Sequence, residues 1–482
     1  MVSPAHDDGH PDTTSTQTWD VPRVVIAAPH SGAGKTSVAT GLLAAFRQRG
    51  DTVSPHKVGP DYIDPGYHAV AAGRPGRGLD PWLVGEDRIV PLFLRGALFP
   101  RRADIAIVEG AMGLFDGASG QDGFASTAHV ARLLAAPVVL VVNAAAQARS
   151  LAALLHGFST FDRRITVAGV ILNRVGSDRH EHELRAAAAV VALPVLGAIR
   201  RHDELTVPSR HLGLIPAAER SAAARHVVAA MAAAIGSSVD LDAVARIARG
   251  AKPLRAKPWD PSTELGDHRS GAARPLVCVA GGAAFTFGYE ETTELLDAAG
   301  ADVAVVDPLR TERLPSGAAG LVVGGGFPEL HAAALSTNEA LRADVVAIAR
   351  SGAPVAAECA GLLYLARSLD GAPMCGVIPA DAAMTDHLTL GYREAIASTR
   401  SVLAEPGTVV RGHEFHRTVI TPPVGRRPAW RWTPDTTEGF VTSGVHASYL
   451  HLNWAGSPEM ASRFVARARR LAAMPDLGMA TR

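Results

Sequence analysis

Between residue 21 and about residue 250, short aliphatic runs alternate with Ala- and Leu-rich stretches of helical period. That rhythm predicts a parallel sheet with helices on both faces. The clearest strands lie at 23–27, 104–108, 137–142 and 166–172, and each runs out into polar or glycine residues: residues 31–36, Glu109 with Gly110, Asn143, and Asn173 with Arg174. Ligands of open α/β sheets bind beyond the carboxyl ends of the strands, so these residues are expected to converge on one site. Residues 251–273 lose the periodicity and collect Pro253, Pro258, Pro261, Gly266 and Gly271 among charges, the composition of an interdomain linker. A second α/β domain, 274–475, is expected to follow. Its strands are read at 276–280, 302–306, 320–323 and 354–357, and then, with little helix between them, at 409–418, 439–442 and 445–450.

Length and composition fit two domains: 482 residues exceed one ordinary core. The 47 basic residues balance the 47 acidic ones, so no whole-chain field attracts nucleic acid or an anionic membrane surface, and a small-molecule substrate is favoured. Three scattered cysteines form neither a disulfide framework nor a zinc pattern, which suits a reducing, cytoplasmic location. Residues 1–20, with His6, His10 and a Thr/Ser-rich run, lack the basic start and apolar core of a signal peptide and read as a disordered tail. No apolar stretch is long enough to span a bilayer.

Two segments carry chemistry. The first strand is followed by Ser31, Gly32, Ala33, Gly34, Lys35, Thr36 and Ser37, and then by a helical pattern over 38–49. Glycines let backbone amides approach phosphate oxygens, the helix start adds its positive end, Lys35 reaches the outer phosphates and Thr36 can ligate magnesium. Pro29 stands where the common motif has its first glycine. Downstream, Lys57, Asp61 and Asp64 crowd one short loop, and Glu109 ends an apolar strand, where a carboxylate needs a cation or several donors. Turn capping is the plainer role for Asp61 or Asp64 taken singly.

The second segment is a buried strand running into Glu358, Cys359, Ala360 and Gly361, with a helix expected through Leu369. A nucleophile on a sharp strand-to-helix turn is presented at the sheet edge, and a helix start favours the thiolate. Gly324, Gly325 and Gly326 end another strand, where Gly325 and Gly326, with Ala360, offer amides to an oxyanion. The general base is sought among His413, His416, His446 and His451, with His451 preferred and His446 second.

These sites, in this order, resemble the cobyrinic acid / hydrogenobyrinic acid a,c-diamide synthase family over residues 24–454. The most specific stretches are 57–68 (KVGPDYIDPGYH), 109–117 (EGAMGLFDG), 210–214 (RHLGL), 324–335 (GGGFPELHAAAL), 357–365 (AECAGLLYL) and 448–452 (SYLHL). The resemblance implies an ATP-binding, dethiobiotin-synthetase-like domain at 21–250 and a class I glutamine amidotransferase domain. It further implies ATP and Mg2+ as cofactors, and a corrin poly-acid and L-glutamine as substrates, with no nucleic acid, no membrane and a homodimer left open. Phosphorylation of the c and a acetate arms of the ring, followed by displacement with ammonia, is the implied reaction. Lys35, Thr36, Lys57, Asp61, Asp64 and Glu109 match positions for nucleotide, magnesium and activation, Thr36, Asp61 and Glu109 being the magnesium set and Lys57 and Asp64 the catalytic pair. Cys359 and His451 match the glutaminase pair, and Asn143, Asn173 and Arg174 sit where related synthetases hold the base. Other amidotransferases carry a Glu two residues after the histidine; Asn453 stands there instead, so a Cys–His dyad is expected. The competing readings are a cobyric acid synthase, which amidates other arms of the ring, and a P-loop switch with an inert second domain. An Ala-, Arg- and Gly-rich composition leans toward the metal-free ring.

Overall fold

The computed structural model describes residues 17–201, 209–210, 213–214, 221–266, 273–433 and 436–473. Strands β1 (Arg23–Ala27), β2 (Val53–Val58), β3 (Arg77–Leu79), β4 (Ile105–Glu109), β5 (Val138–Asn143), β6 (Val167–Val175) and β7 (Val195–Arg200) form one parallel sheet in the order β3-β2-β4-β1-β5-β6-β7. Central strands are apolar on both sides because both faces are covered. In β1, Val24 and Ile26 pack with Val38, Leu42 and Phe46 of helix α1 (Lys35–Gln48), while Val25 and Ala27 pack with Leu92 and Phe93 on the opposite face. The order reverses around β1, so the loop after it lies at the switch point of the sheet.

The second domain is built on strands β8 (Leu276–Ala280), β9 (Asp302–Val306), β10 (Ala318–Val323), β11 (Val355–Glu358), β14 (Phe440–Val441) and β15 (Val445–Ser448), ordered β9-β8-β10-β11-β15-β14. Only β14 runs antiparallel to its neighbour. A second sheet is formed chiefly by the long antiparallel pair β12 (Asp381–Ala397) and β13 (Val409–Thr421), with β16 (His451–Leu452) on its edge. A register shift between Met384 and Thr389 interrupts the β12–β13 ladder.

Several expectations change. Of the expected tail, residues 1–16, with His6 and His10, lie outside the described residues, but Thr18–Trp19 pairs with Leu254–Arg255, and Trp19 is buried with its Nε1 donating to Ala256 O (3.0 Å). The linker is likewise packed where it is described: Trp259 is buried, its amide bonds to Pro91 O (2.9 Å), and Arg88 pairs with Glu264 (3.1 Å). An apolar anchor on each segment overrides the turn-rich composition; residues 267–272 lie outside the described residues. The helix after Cys359 stops at Leu365, where Ser368–Leu369 turns back into a strand. Of the 210–214 stretch, residues 211–212 lie outside the described residues. Among the described residues, no helix is long and apolar enough to cross a membrane.

The two halves are joined by charge. Arg77, buried at the end of the first sheet, bonds to Glu291 (3.0 Å) and, through both terminal nitrogens, to Glu294 (2.7 and 2.8 Å) of the second domain. Arg95 adds a contact to Glu294 (3.2 Å).

Candidate active sites

Gly34 takes a left-handed conformation (φ 99°) and ends the loop from which α1 departs at Lys35. Ser31, Gly32, Gly34, Lys35, Thr36 and Ser37 line a cavity of about 1220 Å³, while Ala33 is turned inward. Asn173 fastens the loop, its Nδ2 donating to Ala33 O (2.9 Å), and lines the cavity with Arg174. Asn143 stands beside Asn173 in register but accepts from the Ala145 amide (3.1 Å) and does not line the cavity.

Below the loop lies a dense polar knot. Lys57 Nζ is 2.6 Å from Asp64, 3.0 Å from Glu109 and 3.4 Å from Asp61. Thr36 Oγ1 bonds to Glu109 (2.7 Å) and Asp64 (3.0 Å). Burial alone would lower the Lys57 pKa, but Asp64, Glu109 and Asp61 outweigh it and raise it well above the ordinary lysine value. Burial would raise Glu109, yet Lys57, His68 and Thr36 bring its pKa down to about 2. Lys35, bonded to Met112 O, has its pKa lowered by burial against the pull of Glu109.

Thr36, Asp64 and Glu109 are drawn together, whereas Asp61 spends one oxygen on the amides of Ile63 (2.9 Å) and Asp64 (3.1 Å) and so also closes a turn. Magnesium fits this donor set: hard oxygens converge beside the loop lysine. Among the described residues, no three His, Cys, Asp or Glu side chains are grouped to hold a metal unaided, so phosphate oxygens and water would complete its shell. Two side chains were left without a role by sequence reasoning although they lie within the quoted stretches. His68 Nε2 approaches Glu109 Oε2 to 2.7 Å, and Asp116, on the cavity wall, accepts from the Gly113 amide (2.9 Å).

In the second domain Cys359 has φ 50° and ψ −102°, the strained geometry of an elbow, and its amide bonds to Ser448 O (2.8 Å). The Ala360 amide is directed at the sulfur. The helix start does not prevail here: burial, with Glu329 next, pushes the thiol pKa far up. His451 is buried on β16 opposite His413, and its ring lies so close to Gly325 that a β-carbon there would stand 2.4 Å from Cε1. Burial, with His413 and His416 nearby, lowers its pKa to about 3. His446 faces elsewhere, 3.0 Å from Ser401 Oγ and edge-on to Trp430. His416 stacks on Tyr449 (3.8 Å) and shares a narrow cleft with Cys359, Gly326 and Glu329.

Asn453 caps its own turn through the Ala455 amide (3.0 Å), so the segment bearing His451 is held by carboxyls from elsewhere. Glu358 accepts from the Leu452 amide (3.4 Å), and Glu438 accepts from Ser448 Oγ and the Tyr449 amide (both 2.7 Å). Burial raises both pKa values to about 8. Neither glutamate could be singled out in advance, since each acts on backbone brought near only by the fold.

The two centres meet at one aromatic ring. Tyr62, between Asp61 and Asp64 in sequence, lies 5.0 Å from the His451 ring, and its hydroxyl is 3.1 Å from that of Tyr289.

Residues 24–215 match the CobQ/CobB/MinD/ParA nucleotide binding domain, and residues 277–459 match the CobB/CobQ-like glutamine amidotransferase domain. A protein of Streptomyces coelicolor named hydrogenobyrinate a,c-diamide synthase is 55% identical over 95% of this chain and 99% of its own. The chain belongs to the a,c-diamide synthase family. Another member of the family, from Mycobacterium tuberculosis and also named hydrogenobyrinate a,c-diamide synthase, is 54% identical over 93% of this chain and 98% of its own. A cobyrinate a,c-diamide synthase of Synechococcus is 40% identical over 94% and 99%. As a family member the chain is a two-domain α/β protein whose halves correspond to the two sites above.

Proposed function

We propose that the protein converts the a and c acetate arms of hydrogenobyrinic acid to amides, using ATP and glutamine. The observation that carries the reading is the polar knot of Lys57, Asp61, Asp64, Glu109 and Thr36, one aromatic ring away from His451 of the amidotransferase domain. The metal-free ring is favoured because the relatives named for it are 53–55% identical, against 38–40% for those named for cobyrinate.

At the first centre a carboxylate arm attacks the γ-phosphorus of ATP, giving an acyl phosphate and ADP. Loop amides and Lys35 hold the transferring phosphoryl group, and Lys57 screens the arm from Asp64 and Glu109. Magnesium would be held by Thr36 and Glu109, with Asp64 or Asp61, and would neutralise charge on the phosphates. Ammonia then displaces phosphate. It comes from the second centre, where Cys359 attacks the glutamine amide as His451 takes the thiol proton and passes it to the departing nitrogen. Amides of the Gly325–Gly326 turn and Ala360 receive the oxyanion, and water releases glutamate from the thioester. His451 Nε2 is buried without a hydrogen-bond partner among the described residues, which leaves that ring nitrogen free for the proton.

The test uses purified protein with MgATP and hydrogenobyrinic acid. Cys359→Ala is expected to lose glutamine-dependent amidation but keep it with ammonium salts. A variant equally inactive with both donors defeats the two-centre reading.

A further inference from the structure

The interdomain cavity is larger than a nucleotide needs: about 1220 Å³, where pockets for small ligands run to about 300–1,000 Å³. The phosphate loop and its polar knot occupy one side. The other wall belongs to the second domain, where Leu390 to Arg393 of β12 lie against β13. Two of the molecule's exposed large apolar side chains, Met112 (51%) and Leu390 (55%), face this same space from opposite domains. Solvent-facing apolar groups lining a ligand cavity mark where a ligand's apolar surface rests.

Arg393 sits among them. Its Nε is 2.6 Å from Glu414 and its Nη1 donates to Tyr392 O (3.0 Å). A guanidinium carries five donors in a planar fork, and among the described residues Nη2 makes no hydrogen bond. The group lies back over Gly391, which has φ 150° and where a β-carbon would come within 2.9 Å of Nη1. Any side chain at 391 would push the fork off the cavity wall. A guanidinium so braced, beside apolar contacts, suits a flat ring with carboxylate arms.

We propose that Arg393 is a specificity-determining residue: it seats a non-reacting carboxylate arm of the macrocycle while Leu390 and Met112 meet the ring's apolar surface. The glutaminase domain thereby sets which arms reach Lys57 and Asp64. The proposal rests on the poly-acid substrate argued above.

The experiment measures KM for hydrogenobyrinic acid, ATP and glutamine, together with product distribution by mass and NMR, in the full-length protein and its Arg393→Ala, Arg393→Lys and Leu390→Ser variants. Arg393→Ala is expected to raise KM for the corrin about 10- to 100-fold, from the loss of a charge-assisted bond. KM for ATP should stay within about twofold, and monoamide or a wrongly placed amide should accumulate. Arg393→Lys, which keeps the charge and loses the fork, should fall between, and Leu390→Ser should raise the corrin KM alone, about fivefold. Unchanged corrin KM and product pattern in Arg393→Ala overturn the proposal. If that variant folds poorly, unchanged values in both Arg393→Lys and Leu390→Ser overturn it instead. Failure of the parent protein to amidate the ring overturns the functional reading and the role of Arg393 with it, whereas an active parent with an unchanged Arg393→Ala variant overturns the role of Arg393 alone.

Discussion

The two centres solve opposite problems. The synthetase centre is an open cavity of about 1220 Å³ on one side of which a lysine and three carboxylates are already wired together. The glutaminase centre is a cleft with about 10 Å³ of free space, roughly that of one water, beside Cys359, where burial favours the uncharged thiol. Charge is tolerated where cations and anions alternate, and is shed where burial meets no partner. The first centre thus has room and paired charge, while the second is narrow and its buried groups are pushed toward their uncharged forms.

The sharpest way to break this contrast is to remove the shared cation of the first centre. Lys57→Ala leaves Asp64 and Glu109 facing each other, and amidation with either glutamine or ammonia is expected to fall by about 10³ or more. Activity retained with ammonia would show that the knot serves only structure. Next, His451→Ala should lower glutamine-dependent turnover by roughly 10² to 10⁴ and leave the ammonia reaction near the parental rate. An equal loss with both donors would mean that its ring matters to the synthetase side. The smallest effect concerns Glu438. Its folded pKa, about 8, lies above that of an ordinary glutamate, so the folded state binds a proton more tightly than the unfolded chain. Its contribution is full below about pH 4.5 and is lost as pH rises through 8. Glu438→Gln should flatten that decline, seen as a smaller difference in Tm between pH 5 and pH 8; an unaltered slope would assign the proton elsewhere.

Much of this was legible in sequence because the chemistry lies at strand ends. The phosphate loop, Glu109 and Cys359 each follow an apolar run that is unmistakable locally. β2 was missed because its sequence, VSPHKV, carries Pro55, Ser54, His56 and Lys57, yet all are buried: Ser54 bonds to His56 (3.0 Å) and Lys57 to the carboxylates. β12 was missed because the register shift after Met384 and a polar, cavity-facing side blur its alternation. Contacts such as Tyr62 with His451, 389 positions apart, leave no trace in local pattern. The same holds for Glu438, whose neighbours are set by the pairing of β14 with β15.

Arg77 bears on whether the two halves could live apart. Each half matches a domain family of its own, but parting them would break three short charge-assisted bonds at once, those of Arg77 with Glu291 and Glu294. A gene split at the linker should therefore yield halves that find each other again and co-purify, held by charge where the covalent tie is gone.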